Sequence, residues 1–248
     1  MCFLTAVADV YRRTRKPKDI FWNRFVARPA AAVALVPLQR SRVTPNQITF
    51  ASLVVFVAAA TVLVALPGWA GLLIAVVVLE LSYVLDCVDG QLARLRGTST
   101  PVGAHLDFLM DELKAFLLVA ATGIRLWLPD REPRWLLEAL IGLCAVASAI
   151  SLTTFVRRTE YLAATGAAPP ASAGDYGTGF AAAPATGFSP IRAAESVGRF
   201  LIHYPSYLVY VALLDALPWF LHVYVVINAA HAARTLVAVA RKLGRSGR

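Results

Sequence analysis

A chain that carries run after run of 17–26 apolar residues has few ways to fold. Such runs match a hydrocarbon layer about 30 Å thick. Inside that layer every backbone polar group needs an internal partner, which leaves the helix as the natural spanning element. The runs are Ile48–Leu66, Trp69–Leu85, Gly103–Leu128, Trp135–Val156, Phe200–Leu217 and Pro218–Ala240. They predict an all-α, polytopic membrane protein with six transmembrane helices. His203, Tyr204 and Pro205 interrupt the fifth run. Composition agrees: 58% of the 248 residues are hydrophobic and 16% charged, where a soluble domain carries about 25% charge.

Residues 9–45 hold nine basic residues interleaved with Phe21, Trp22, Phe25, Val26 and Val33. That pattern predicts an interfacial amphipathic segment lying on the membrane before the first span. Thr44-Pro45-Asn46 then reads as a helix N-cap followed by a first-turn proline. Three parts follow: a basic juxtamembrane segment (1–45), a six-helix membrane domain (46–240) and a basic tail (241–248). The Gly/Pro-rich stretch 163–190 reads as a mobile cytoplasmic linker. Residues 1–47 are basic and mixed, with no apolar stretch ending at a small-residue cleavage site, so no signal peptide is expected.

The formal net charge is +9, and the basic residues gather on one side of the predicted spans. Arg94 and Arg96, Arg157 and Arg158, Arg192 and Arg199, and the tail share that side with the N-terminal segment. The positive-inside rule predicts that both termini and the acidic stretch 86–111 face the cytoplasm. No basic module with interleaved aromatics is present to display a nucleic-acid surface, so no nucleic-acid partner is expected. Cys2, Cys87 and Cys144 are scattered, without metal-ligand spacing.

Against this apolar background stand four carboxylates within 26 residues: Asp86, Asp89, Asp107 and Asp111. Charge at membrane depth is costly and marks function. Asp86 and Asp89 are three apart, Asp107 and Asp111 four apart, so each pair shares a helix face. Four carboxylates so close ionise together only with a compensating cation. Oxygen donors select Mg²⁺, Mn²⁺ or Ca²⁺ over zinc. Two ions about 4 Å apart would form the clamp used in phosphoryl displacement. Gly90, Ala93 and Gly103 leave backbone bare, while Arg94 offers a planar fork for phosphate. Glu80 and Asp215 read as acids that pair helices.

The order Asp86-x2-Asp89-Gly90-x2-Ala93-Arg94-x8-Gly103-x3-Asp107-x3-Asp111 resembles, at every position, the signature of the CDP-alcohol phosphotransferase family. Thr44-Pro45-Asn46-x2-Thr49 extends the resemblance. It implies an integral membrane enzyme that cleaves a CDP-alcohol, passes the substituted phosphate to an acceptor alcohol and releases CMP, usually in phospholipid biosynthesis. By resemblance, Asp86, Asp89, Asp107 and Asp111 would ligate two divalent cations, Mg²⁺ or Mn²⁺. Asp111 would also be the general base. Asn46, Gln47, Ile48, Thr49, Gly90, Arg94 and Thr100 would line the CDP-alcohol pocket. The partners implied are the donor, the acceptor, membrane lipid and a second copy in a homodimer.

Lys16 to Arg24, followed by Arg28-Pro29, is similar to the basic lead-in of the branch that makes inositol-phosphate phosphodiesters. Asp19-Ile20 departs from it, since Asp-Gly would stand there. Arg157 and Arg158 fall where inositol-phosphate-accepting relatives place acceptor-binding residues. The donor is expected to be CDP-diacylglycerol or a related lipid. The alternatives are CDP-inositol with inositol phosphate, or a non-enzymatic membrane protein whose acids bind a cation.

Overall fold

The computed structural model describes residues 3–16, 19–166, 197, 198 and 200–246. Most of the 163–190 stretch falls outside them, as do Cys2, Lys18, Arg192 and Arg199. Among the described residues the chain is helical, with no strand. The helices are α1 (Phe3–Thr14), α2 (Arg28–Leu38), α3 (Pro45–Ala65), α4 (Gly68–Arg96), α5 (Pro101–Asp130), α6 (Pro133–Phe155), α7 (Thr159–Thr165), α8 (Leu208–Leu213) and α9 (Leu217–Ser246). A π-turn, Asn23–Ala27, leads into α2.

Four of these, α3, α4, α6 and α9, have the length and hydropathy to cross a membrane. Their outer faces are apolar: Val54, Val77, Leu140 and Val226 are all more than half exposed. An apolar exterior over such lengths suits lipid, and the protein is an all-α polytopic membrane protein. Helix α5 is long enough to span but carries Asp107, Asp111, Glu112, Lys114 and Arg125 along its length. The run 200–217 is not one helix. It breaks at His203, turns through the 3₁₀ segment Tyr204–Ser206 and resumes as α8. Pro205 has no N–H and disfavours helical geometry at the residue before it, so the break is local chemistry.

The chain divides into two compact units, with a boundary inside α5 after Lys114. The first comprises residues up to Lys114 together with Leu208–Leu213. Its centre is the α3–α4 hairpin. Thr44 caps α3 in a reciprocal capping box with Gln47, and Pro45 sits in the first turn. Along the seam, the buried Ser82 Oγ donates to the Ser52 backbone oxygen at 2.7 Å, which keeps that pair close and satisfied. Small residues on α2, Ala31 and Ala32, are fully buried in a cluster with Leu35, Cys87, Val88 and Leu92. That cluster seats the N-terminal segment on the second half of α4, the half that carries the acids. Trp69 Nε1 donates to the Ala212 carbonyl at 2.8 Å, tying α8 to the start of α4.

Helix α4 ends in a Schellman turn. Gly97 adopts a positive φ of 66°, Thr98 N–H donates to Ala93 O and Gly97 N–H to Arg94 O. A side chain at that φ would be strained, so glycine stops the helix there. Arg96, one residue before, clamps the α2–α3 connection. Its guanidinium donates to the carbonyls of Val43 at 2.5 Å, Ser41 at 2.8 Å and Leu38 at 2.9 Å.

In the second unit α6 packs on α9. The approach at Gly142 is close: an added Cβ would meet Val225 at 2.8 Å and Val119 at 3.0 Å. Glu138 bonds His222 Nδ1 at 2.5 Å, and Thr153 meets His231 at 3.3 Å along the same seam.

Candidate active site

Helix α4 delivers Asp86 and Asp89 from one face, and α5 delivers Asp107. One oxygen from each carboxylate lies within 4.8 Å of the other two. Asp89 is buried, and Thr49 Oγ1 donates to its Oδ2 at 2.5 Å, so the first turn of α3 orients a carboxylate on α4. Asp107 Oδ1 is buried without a hydrogen-bond partner. A buried, unpaired carboxylate oxygen is costly unless something charged completes it. Hard oxygen donors in this arrangement fit a divalent cation.

Asp111 stands outside that set of three. Its side chain is 55% exposed and lies 3.4 Å from Lys114 Nζ. Lys114, 1% exposed, also donates to Asp86. The site therefore contains a buried ammonium that the sequence reading did not include. Its signal was available: Lys114 follows Asp111 by three residues, the spacing that puts two side chains on one face.

The residues expected in the nucleotide pocket take up distinct positions. Gln47 Oε1 accepts from the Thr44 N–H as half of the capping box, and Ile48 is buried in the cluster under α2. Thr100 Oγ1 accepts from Gly103 N–H at 3.0 Å and caps α5. A Cβ on Gly103 would stand 3.2 Å from that hydroxyl and 3.8 Å from Asn46 Oδ1, which brings the starts of α3 and α5 together. Gly90 faces Arg94, whose guanidinium would lie 3.4 Å from an added Cβ. Arg94 Nε donates to the Thr14 carbonyl at 3.0 Å, and its Nη2 is buried with no partner. Arg157 and Arg158 belong to the second unit, in the turn between α6 and α7.

A second polar network lies beside α4. Asp19 pairs with the buried Arg28 and accepts from Asn23 Nδ2 at 3.1 Å. Tyr83 on α4 donates to Asn23 Oδ1 at 2.5 Å, and Gln91 Nε2 to the Arg28 carbonyl at 3.2 Å. Tyr83 and Gln91 were invisible to motif reading, because their partners lie about sixty residues away.

The sequence of residues 42–188, more than half of the chain, matches the family model described as CDP-alcohol phosphatidyltransferase. The chain belongs to the CDP-alcohol phosphatidyltransferase family. Two curated relatives of this family member are each named bifunctional IPC transferase and DIPP synthase. The protein of Thermococcus kodakarensis is 32% identical over 105 residues, which is 41% of this chain and 22% of the relative. That of Aquifex aeolicus is 31% identical over 114 residues, 45% of this chain and 25% of the relative. The chain thus matches about a quarter of the length of each, so the likeness concerns one part of larger proteins.

Proposed function

We propose that this chain transfers a substituted phosphate from a CDP-alcohol to an acceptor alcohol and releases CMP, within the membrane domain 46–240. The observation that carries the reading is the convergence of Asp86, Asp89 and Asp107 to within 4.8 Å in a helical membrane protein of this family. Asp86, Asp89 and Asp107, completed by Asp111, would hold the divalent cations, two Mg²⁺ or Mn²⁺ ions in our reading. When bound, such cations neutralise charge on the bridging phosphate.

The chain's own groups do the rest. Thr49 holds the Asp89 carboxylate in place through its hydroxyl. Arg94 presents an unpaired buried nitrogen to a phosphate oxygen over the bare backbone of Gly90. Asn46, Gln47, Ile48, Thr49 and Thr100, at the starts of α3 and α5, would border the nucleotide. Asp111, the most open of the four acids, accepts the proton of the acceptor hydroxyl at its carboxylate. Proximity to that hydroxyl supplies the driving geometry.

The donor we favour is CDP-diacylglycerol or a related lipid, with the product a membrane phospholipid and Arg157 and Arg158 binding the acceptor. A second reading uses CDP-inositol and inositol phosphate; the resemblance of the Lys16–Arg28 segment to that branch favours it. Basic loops support a cytoplasmic site and cytoplasmic termini, the basic segment 1–45 an interfacial position, and the small-residue spans a homodimer. The test is CMP release by the purified protein from a panel of CDP-alcohols against a panel of acceptors, with and without Mg²⁺ or Mn²⁺. Metal-dependent release from at least one pair is the expected result. No release from any pair would overturn the reading, and partition of the product into organic solvent separates lipid from soluble substrates.

A further inference from the structure

The N-terminal segment folds into a basic cavity of about 310 Å³ that the transfer mechanism does not use. Arg12, Arg15, Lys16, Arg24 and Arg28 all border it. Among the described residues of its wall the carboxylate is that of Asp19, which is already committed to Arg28. We propose that this cavity is a phosphate-binding subsite, taking a dianionic phosphate group carried by a phosphorylated alcohol or by a lipid headgroup.

Three observations carry this. The first is the charge itself: five cations converge on one cavity, and an exposed interfacial helix has no structural need to gather them around a concave site. The second is that the cavity is built. Asp19 and Asn23 brace Arg28 and are braced in turn by Tyr83 of α4. Tyr11 OH donates to the Arg24 carbonyl at 2.8 Å, locking α1 against the π-turn. Arg94 fastens the end of α1 through the Thr14 carbonyl, at 3.0 Å. The held guanidinium fork of Arg28 is suited to phosphate oxygens, because little freedom is left to lose on binding.

The third observation is where the cavity leads. Lys16 is largely buried, and burial together with the charges of Arg28 and Arg94 lowers its pKa below the ordinary lysine value; Asp19 and Asp107 oppose that. Lys16 is thus within electrostatic reach of both Arg94 and Asp107, residues of the acidic motif. An anion in the cavity would relieve the crowding of cations. Its assignment as a substrate subsite rests on the transferase function proposed above; its affinity for phosphate does not.

The test uses the full chain in nanodiscs of neutral phosphatidylcholine, with inorganic phosphate as the probe and calorimetry as the readout. Arg12→Gln/Arg15→Gln removes two exposed arginines of the cavity wall and should weaken phosphate binding about tenfold or more, equivalent to about 1.4 kcal/mol. Arg241→Gln, an exposed arginine near the end of α9, should leave it unchanged. Adding phosphatidic acid to the disc separates the two sources. If the lipid competes with phosphate in the native protein and not in the double variant, the ligand is a headgroup. If it does not compete, the ligand is a soluble phosphomonoester. Equal phosphate binding by native protein and double variant, or none by either, overturns the subsite. CMP release from the same preparations keeps the two readings apart. Release that persists while phosphate ignores Arg12 and Arg15 removes the subsite alone. Arginine-dependent phosphate binding in a protein that releases no CMP removes the transferase reading and leaves the subsite.

Discussion

The Lys114 ammonium lies 3.4 Å from the Asp111 carboxylate and also donates to Asp86, so one buried cation joins the first and last acids of the motif. The side chains of Lys114 and Asp86 are 2% and 12% exposed, which sets this pair apart from a screened surface ion pair. Removing one partner of a buried pair strands the other's charge. Lys114→Met should therefore cost about 3 kcal/mol in metal-free buffer. Mn²⁺ should restore more of the melting temperature in the variant than it adds to the native protein, because the ion replaces a missing counter-charge. Unchanged thermal unfolding without metal would show that the contact does not hold the acids.

Thr49 and Asp89 are each 4% exposed and bonded at 2.5 Å. Thr49→Val keeps the shape and deletes the donor. Loss of a partner that orients a metal ligand typically weakens metal binding about 10–100-fold. Mn²⁺ affinity measured by electron paramagnetic resonance should fall accordingly for Thr49→Val and stay near native for Thr49→Ser. Equal affinity in all three proteins would remove Thr49 from the site.

Asp111→Asn keeps the size of the side chain and removes its capacity to accept a proton. Turnover should fall about 10²–10⁴-fold, the usual worth of a general base, while affinity for the CDP-alcohol stays within a few-fold of native. CMP release at near-native rate from the purified variant would assign the proton to another group.

Arg96 fastens the α2–α3 connection through three carbonyls at 2.5–2.9 Å. Arg96→Lys retains the charge but cannot present a planar fork to several acceptors at once. Hydrogen exchange should accelerate at residues 39–44 in both Arg96→Lys and Arg96→Ala, with α6 unaffected. Acceleration in the alanine variant alone would mean that charge, rather than the fork, holds the turn.

Local chemistry made much of this legible in the chain. The N-cap at Thr44, the first-turn proline at Pro45 and the three- and four-residue spacing of the acids each operate within one or two turns, so a linear reading reaches them. The break at Pro205 was likewise written in the residues that interrupt the fifth apolar run. What escaped were side chains whose meaning depends on a distant partner. Arg96 read as a topological charge, yet its nitrogens are spent on carbonyls more than fifty residues earlier. Lys114 sat in plain view beside Asp111, but only the meeting of α4 and α5 brings it to Asp86.

The short connection at Gly97–Thr100 bears on how the chain enters a bilayer at all. At about 3 kcal/mol for each charged residue near a helix centre, a segment with the charges of α5 is a poor candidate for insertion by itself. Leashed to the far more apolar α4 by so few residues, it would be expected to enter a bilayer together with α4, as one arm of a hairpin. In that arrangement Lys114 and Asp86 offset each other before either meets lipid. The Lys114–Asp86 pairing thus also lowers the cost of taking either charge out of water.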